Sequence, residues 1–457
     1  MTDLQPPAVP FRRWRAGVIG VALATHLGFC FLHYSPPTGD AAEYHALAVN
    51  LLTRHTFAVA GDSGAPTARR MPLFPVFLAG IYELTGLEHG ASTAPVVQAC
   101  LMVCNVALVI AVARRWFGEV PALFAGLLTC LYQAYLYLPT ELLSENLYIP
   151  LLLAALWLLT RDAARPAWAF ALAFVLLGLL VLTRANAVAV VPVAMIHAWK
   201  SLGGRRRAVR MVGLVACLLV PLIPWWVRNT ITFGTPVLLA TNGGWNLYLG
   251  HNPGYRQAPG LGAGTDFDVF DRLVREGMTE VEADRELRRR AVDFARSHPG
   301  QTLANLCRKT KTIFSVHTRQ TWNLIAVSMV FFGLRAWCEP TGARRRKLIA
   351  ALLCTAGILG WLVQVGTVFL AGRGLTGVGV SFGMVGLAAV AGFAIAVRRG
   401  GHPWLPAAIY FSQVAVGLVY IPVVRIRWGV DFIVIMYAAV ALCALAGYRA
   451  SRSGNTS

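Results

Sequence analysis

Acidic side chains are scarce in this chain. Asp and Glu number 21 among 457 residues, and charged residues of both signs make up only 14%. Soluble globular domains carry roughly a quarter charged residues, so the composition excludes an ordinary water-soluble protein. The few acids beside apolar segments stand out, because a carboxylate at a membrane surface must stay partly hydrated or find a cationic partner. Either outcome suggests a functional site.

The signature motifs of several enzyme classes are also missing. The chain has no Walker loop, no HExxH or GxSxG motif and no CxxC spacing, and most of its nine cysteines fall inside apolar runs. These absences argue against nucleotide-binding and hydrolase chemistry, structural disulfides and zinc. We therefore expect no cofactor and no metal ligands. A divalent metal is compatible with the sequence but is not indicated by it.

Apolar residues dominate the chain, at 56% of the total and a mean hydropathy of +0.58. Most form continuous runs, many of about 17–23 residues, which is enough to cross roughly 30 Å of hydrocarbon. The runs lie near residues 16–33, 94–113, 120–139, 145–160, 167–183, 186–199, 211–227, 321–337, 348–370, 375–397, 403–421 and 431–447. We predict an all-α polytopic membrane protein with about 12 transmembrane helices.

Basic residues give the chain a net charge of +20 and occur in small clusters between the apolar runs. The clusters lie at 12–15, 114–115, 161–165, 200–207, 344–347 and 398–399. This distribution follows the positive-inside rule, so we predict membrane lipids and no nucleic acid as partners. All of these basic clusters lie on the same side of the membrane only if the proline-broken run 73–88 does not cross the membrane. We therefore predict an interfacial or re-entrant helix there, a retained first span and cytoplasmic termini.

Three regions follow from this topology: an N-terminal transmembrane catalytic module that contains a first outer loop, a large outer loop, and a C-terminal set of transmembrane helices. Their bounds are 1–227 with the first loop at 34–93, 228–320, and 321–457. In the large loop, Thr279 and Glu282 form a capping box that predicts the start of an amphipathic helix. A second helix is predicted through Leu303, Leu306 and Ile313.

Two pairs of acids are predicted at the outer face. Asp40 opens the segment DAAEYHALAVNLL, with Glu43 and Tyr44 about one helical turn along. Asp40 is a candidate general base with Glu43 and Tyr44 as substrate-binding neighbours, or else a helix N-cap with Glu43 complementing the helix dipole. Glu141 and Glu145, at spacing i, i+4, are expected to share a helical face and join this acidic site, or else to lie in a solvated turn.

Four arginines fall in short segments that the derived topology places outside, where the positive-inside rule disfavours Arg. They are Arg184, Arg373, Arg425 and Arg427. One interpretation is a phosphate-binding cluster, because the guanidinium fork suits phosphate oxygens. The other is snorkelling or local pairing, for example of Arg427 with Asp431 at i, i+4.

A further candidate lies in the segment NGGWNLY, which mixes glycines with aromatic and amide side chains. Asn246 and Tyr248 in this segment suit sugar binding by hydrogen bonds and stacking. The alternative is an ordinary interfacial position, because Trp and Tyr are common at membrane surfaces.

Five segments, in order along the chain, carry a family resemblance. They are GDAAEYHALAVNLL, ARRMPLFPVFLAGIYELTG, ARRWFG, SENLYIPLLLAALWLL and PWWVRNTITFGTPVLLATNGGWNLYLGHNPG. Together they resemble the bacterial membrane glycosyltransferases of the GT-C class, akin to protein O-mannosyltransferases and the lipid A aminoarabinose transferase. The resemblance is strongest over residues 36–260. It implies a GT-C-like helical bundle in the bacterial inner membrane with its active site on the outer, periplasmic face.

The resemblance also implies a reaction. Family members take a sugar from a polyprenyl-phosphate-linked donor, and the acceptor is a lipid, a glycan or a protein. By resemblance, Asp40 matches the catalytic acid of the first loop, Arg70 the basic position before the PL motif, and Glu145 a second catalytic acid. Cationic side chains can stabilise the leaving phosphate, and a carboxylate can deprotonate the attacking hydroxyl, so inversion is expected.

Two other functions remain open at this stage. About twelve spans with cytoplasmic termini also suit a secondary transporter, although the halves of this chain differ and transporter halves are usually related. An oligosaccharide ligase or polymerase would use outer arginines too, but with a lipid diphosphate donor. Neither the sugar nor the oligomeric state can be read from the sequence.

The topology can be tested by labelling. We predict that the first loop and the basic cluster at 344–347 lie on opposite membrane faces, because of the charge distribution. Single cysteines replacing Ser63 and Gly342 in a cysteine-free background would be treated with an impermeant maleimide in intact cells. Labelling is expected at position 63, and labelling at 342 but not at 63 would overturn the topology.

Overall fold

A computed structural model describes residues 11–33, 36–59, 64–160, 167–255, 266–313, 327–333, 348–349, 351–359, 383–398, 404–420 and 425–445. All regular structure in these ranges is helical, and none of these residues lies in a strand. The prediction of an all-α protein is confirmed. Several predicted runs between 321 and 397 lie partly outside the described residues.

The helices follow the apolar runs closely in the first half of the chain. They are α1 (Phe11–Leu32), α2 (Asp40–Thr53), α3 (Leu73–Thr85), α4 (Leu87–Phe117), α5 (Glu119–Leu131), α6 (Gln133–Tyr137), α7 (Glu145–Leu159), α8 (Ala167–Thr183), α9 (Val190–Ser201), α10 (Arg207–Leu219) and α11 (Ile223–Phe233). Single glycines separate α3, α4 and α5: Gly86 at φ +82° and Gly118 at φ +85° turn the chain where a side chain would be strained.

The second half carries helices of mixed character. They are α12 (Gly243–Gly250), α13 (Val269–Arg275), α14 (Glu280–Ser297), α15 (Pro299–Ile313), Gly383–Arg398, Trp404–Val419, Arg425–Trp428 and Asp431–Leu445. The predicted capping box is confirmed, since the Thr279 hydroxyl accepts from the Glu282 amide and the Glu282 side chain accepts from the Thr279 amide. The predicted second helix is α15.

Within the described ranges, three helical segments are long and apolar enough to cross a membrane: α1, α4 and the continuous stretch Arg207–Phe233. The segment from α5 to Thr140 adds a fourth if its 54° bend is counted within one span. These helices support a membrane location. The total of about twelve spans, the two faces and the positions of the termini stay predictions. So does the interfacial placement of α3, which at 13 residues is shorter than the roughly 20 that a straight span needs.

Helix α14 of the large loop has one apolar face, and this face is buried. Ala283, Leu287, Ala291 and Phe294 recur on one side of this helix and are buried. Helix α12 packs against it so closely that a Cβ on Gly244 would lie 1.9 Å from the Asp284 carbonyl oxygen. Gly244, the second glycine of the NGGWNLY segment, therefore has a packing reason, because only glycine admits this approach.

Lys309 on α15 fastens the large loop to the helix Trp404–Val419. The side chain is fully buried and its Nζ donates to the carbonyl oxygens of Leu418 at 3.1 Å and Tyr420 at 2.7 Å. It also lies 3.1 Å from Nε2 of His251 in the LGHNP segment. Burial lowers the pKa of Lys309 to about 7, whereas the carbonyls at a helix C-terminus favour the charged form.

The approach of α12 to α14 gives a stability prediction. Gly244→Ala forces the two helices apart, and overpacking of this kind costs about 1–3 kcal/mol. Gly213→Ala is the matched control, because Gly213 lies in α10 and a Cβ there would meet nothing within 4 Å. In detergent, Gly244→Ala should melt several degrees below the parent while Gly213→Ala does not. Equal melting of both variants would contradict the packing.

Candidate active site

Helix α2 begins at Asp40, and Gly39 occupies the N-cap position. Because the N-cap position belongs to Gly39 and Asp40 is the first helical residue, the alternative that Asp40 is the N-cap residue is wrong. The carboxylate turns instead to Arg70, whose Nη2 lies 2.5 Å from Asp40 Oδ1. Because α2 places positions 40, 43 and 44 on one face, Glu43 meets the same guanidinium, at 2.6 Å from Nε.

Arg70 is held tightly by these groups. Its side chain is only 13% exposed, and the guanidinium carbon lies 5.3 Å from the ring centre of Tyr44. Burial by itself lowers the pKa of Arg70, but the carboxylates of Asp40 and Glu43 outweigh it and raise that pKa above its ordinary value. The guanidinium is therefore charged at any physiological pH.

A second ion pair joins helices α7 and α8. Glu145 is the first residue of α7 and is 1% exposed, and its Oε1 lies 2.6 Å from Nη1 of Arg184, which follows α8 directly. The predicted outer arginine and the predicted second acid therefore meet. A buried pair of this kind needs both partners, since an unpaired charge in the same place would be costly.

Ser144 connects the two ion pairs. Its hydroxyl is buried, accepts from Tyr44 Oη at 3.2 Å and from Arg184 Nη1 at 3.0 Å, and lies 3.4 Å from Glu145 Oε2. The result is one connected cluster, which we call the ion-pair cluster. Its members are Asp40, Glu43, Tyr44, Arg70, Ser144, Glu145 and Arg184. Sequence reasoning missed Ser144, although its position next to Glu145 in SENLY was a signal.

Glu141 does not share a helical face with Glu145, and that expectation is wrong. A 3-10 turn at Leu138–Thr140 comes first, Glu141 is extended at φ −109° and ψ 140°, and α7 starts only at Glu145. The Asn146 side chain holds this shape, because its Nδ2 donates to the Leu138 and Glu141 carbonyl oxygens, both at 3.0 Å. The main chain of Glu141 thus supports the start of α7.

Arg427 forms the local pair that was the alternative to phosphate binding. Its Nε lies 3.0 Å from Asp431 Oδ1, and both side chains are 2% exposed. Nη1 also donates to the Ile313 carbonyl at 2.9 Å, and Tyr132 donates to Asp431 Oδ2 at 2.8 Å. This geometry favours a structural role. Arg425 is the first residue of a short helix, but its side chain is not described. Arg373 lies outside the described residues.

Asn246 and Tyr248 lie on α12, beside the ion-pair cluster rather than in it. Tyr248 packs against the small apolar core that contains Phe270. The link to the cluster runs through Arg69, the neighbour of Arg70, whose guanidinium carbon lies 5.5 Å from the Trp245 ring centre and 4.8 Å from that of Phe270. The role of Asn246 and Tyr248 in sugar binding stays a prediction.

The described part of the chain holds no group of three or more His, Cys, Asp or Glu side chains placed to share a metal ion. In the cluster, Asp40 and Glu43 converge on a guanidinium. What the arrangement offers chemically is a partly exposed carboxylate, Asp40 at 29%, beside the fixed cation of Arg70, with a second cation, Arg184, linked to Tyr44 through Ser144. Such a site can accept a proton and bind an anion at the same time.

Comparison with known proteins identifies a related family. The family model described as dolichyl-phosphate-mannose-protein mannosyltransferase matches residues 67–233, a range that includes Arg70, Glu145 and Arg184. No curated protein matches the chain. The match supports the resemblance predicted from the sequence motifs and indicates a glycosyltransferase.

Several solved structures are similar to this chain at low identity, and the one with a TM-score of 0.50 supports a shared fold. The apo oligosaccharyltransferase of Archaeoglobus fulgidus is 13% identical, with 95% of this chain and 51% of that chain covered and a TM-score of 0.50. ArnT from Cupriavidus metallidurans bound to undecaprenyl phosphate is 15% identical, with 95% and 78% covered and a TM-score of 0.43. Arabinosyltransferase EmbB from Mycobacterium smegmatis is 14% identical, with 98% and 42% covered and a TM-score of 0.37. The chain spans about half the length of the oligosaccharyltransferase.

The buried ion pair gives a stability prediction. Arg184→Ala leaves Glu145 buried without its cation and should cost about 3–5 kcal/mol, whereas the double variant Glu145→Gln/Arg184→Gln should lose less. Arg289→Ala is the control, because Arg289 is 63% exposed in its pairs and exposed pairs contribute about 0–1 kcal/mol. Melting in detergent ranks the variants. A double variant less stable than Arg184→Ala would show that the pair is not what holds α7 to α8.

Proposed function

We propose that this protein transfers a sugar from a polyprenyl-monophosphate-linked donor to an acceptor on the outer face of the bacterial inner membrane. The observation that carries the proposal is the ion-pair cluster. In it the partly exposed Asp40 carboxylate lies 2.5 Å from the half-buried Arg70, which is connected through Tyr44 and Ser144 to Arg184. The family match, described by a dolichyl-phosphate-mannose donor, supports a lipid monophosphate.

Arg70 and Arg184 are proposed to bind the donor phosphate. Glu43 accepts from Nε of Arg70 and Asp40 accepts from Nη2, and a guanidinium has five N–H donors in all, so a phosphate is proposed to share this guanidinium with the two carboxylates. Arg184 is 17% exposed and is turned toward the same cluster by Glu145. Two guanidiniums can stabilise the negative charge that develops on the departing phosphate.

Asp40 is proposed as the general base. An acceptor hydroxyl attacks the anomeric carbon, its proton passes to the Asp40 carboxylate, and the bond from that carbon to the phosphate oxygen breaks with its electron pair going to the lipid phosphate. A single displacement inverts the anomeric configuration. Glu145 is 1% exposed, so in this mechanism it orients Arg184 and does not itself contact the sugar.

The alternatives make different demands. A secondary transporter needs no acid–arginine cluster tied to one loop, and the family match disfavours it. A ligase or polymerase would use a lipid diphosphate donor, so the donor that supports transfer distinguishes it from the proposed enzyme. Purified protein would be given a lipid monophosphate sugar, a lipid diphosphate glycan or no lipid, and only the first is expected to support transfer. Transfer from the diphosphate donor alone would favour the ligase.

Asp40→Asn tests the base. The variant keeps the size of the side chain, and Glu43 still pairs with Arg70, but no carboxylate remains to take the proton. Transfer should fall roughly 10²-fold or more, while polyprenyl phosphate binding and melting stay near the parent values. Asp293→Asn, at an exposed acid on α14, is the control. Turnover of Asp40→Asn within a few-fold of the parent would remove Asp40 from the chemistry.

A further inference from the structure

Glu280, the first residue of α14, reaches from the large loop into the first loop. Its Oε2 accepts from the Thr67 hydroxyl at 2.7 Å, and its Oε1 accepts from the Ala68 amide at 2.8 Å. The hydroxyl of Thr241, just before α12, also donates to Oε1. One carboxylate therefore collects three donors from two distant segments, and charge-assisted hydrogen bonds of this kind are the strong ones.

Other contacts hold the same short segment. The Ala68 carbonyl accepts from the Thr241 amide at 3.0 Å, and the Thr67 carbonyl accepts from Arg228 Nη1 at 2.8 Å. The Arg69 amide donates to the Thr67 hydroxyl at 3.0 Å. The main chain of Thr67 and Ala68 is thus bonded to the large loop, and the Arg69 amide is bonded back to Thr67, immediately before Arg70.

The two arginines that follow this segment engage different partners. Arg69 pairs with Asp271 at 2.8 Å, in the large loop, whereas Arg70 pairs with Asp40 and Glu43, on α2. The segment therefore bridges the large loop and the ion-pair cluster. Any shift of the main chain at Ala68 moves the base of the Arg70 side chain two residues later.

We propose that Glu280 is a positioning residue that sets the place of Arg70 in the ion-pair cluster. The inference rests on the proposed function in giving Arg70 the task of binding lipid phosphate. It adds that the large loop takes part in that task although Glu280 touches no substrate. A carboxylate accepts from all three donors at once, whereas the NH2 of Gln could only donate to a Thr hydroxyl that turns round, and the charge-assisted bonds would be lost.

A purely local role at the start of α14 is the competing explanation, since an acid in the first turn complements the helix dipole. Glu282 separates the two explanations. It lies in the same first turn and bonds the Thr279 amide and hydroxyl, both at 2.8 Å. Glu282→Gln therefore perturbs the start of α14 while leaving the contacts of Glu280 in place.

The test is a double-mutant cycle in the full-length purified protein. Glu280→Gln and Glu282→Gln are each made alone and together with Arg70→Ala, and affinity for polyprenyl phosphate and transfer rate are measured. Glu280→Gln should lower affinity roughly tenfold in the parent and less than about twofold beside Arg70→Ala, because its effect passes through Arg70. Glu282→Gln should change affinity less than about twofold in both. Equal losses from Glu280→Gln in both backgrounds would overturn the proposal.

Hydrogen exchange gives a readout that does not depend on the reaction. In Glu280→Gln, and more weakly in the shape-conserving Thr67→Val, the Ala68 amide should exchange faster than in Glu282→Gln. Equal rates would overturn the proposal even if activity fell. If the parent chain does not bind polyprenyl phosphate, the proposed function fails, and the exchange rate at Ala68 still decides whether Glu280 holds the segment before Arg70.

Discussion

The pairing of arginine with carboxylates in places poor in water is the constraint on which the rest of the site depends. A buried charge without a partner is far more costly than an exposed one, so each pair fixes the elements that carry it. Arg184 and Glu145 bring the end of α8 to the start of α7. Arg70 with Asp40 and Glu43 brings the segment before α3 to the start of α2, within the first loop. Both cations are thereby charged and oriented before any ligand arrives, which is the preorganisation that electrostatic catalysis needs.

Hydrogen bonds extend this constraint beyond the pairs. Ser144 joins the two ion pairs into one cluster, and Glu280 joins the cluster's first loop to the large loop. Lys309 in turn fastens the large loop to carbonyls at the end of the helix Trp404–Val419. Polar side chains therefore connect the segments that carry the family resemblance to the later helices of the chain.

Much of the fold could be predicted from the sequence, because apolar runs and caps are local. The capping box at Thr279 and Glu282 appears as expected, and most helices in the first half follow the predicted runs. The prediction that Glu141 shares a helical face with Glu145 was wrong because a 3-10 turn and the Asn146 side chain delay the start of α7. Spacing alone does not reveal this delay. Ser144 lies next to the candidate Glu145, but neither Ser144 nor Glu280 belongs to a motif, and the partners that give each residue its role are distant in the sequence.

The sequence by itself determined the membrane class, the family resemblance and the candidate residues Asp40, Arg70, Glu145 and Arg184. Hydropathy, charge clusters and motif order are properties of the chain and need no contacts. Only the tertiary structure decided which acid meets which arginine, since the partners are separated by 27 to 39 residues and meet through helix packing. It also separated Arg427, buried against Asp431, from the arginines of the cluster, because burial and pairing depend on which helices surround a side chain.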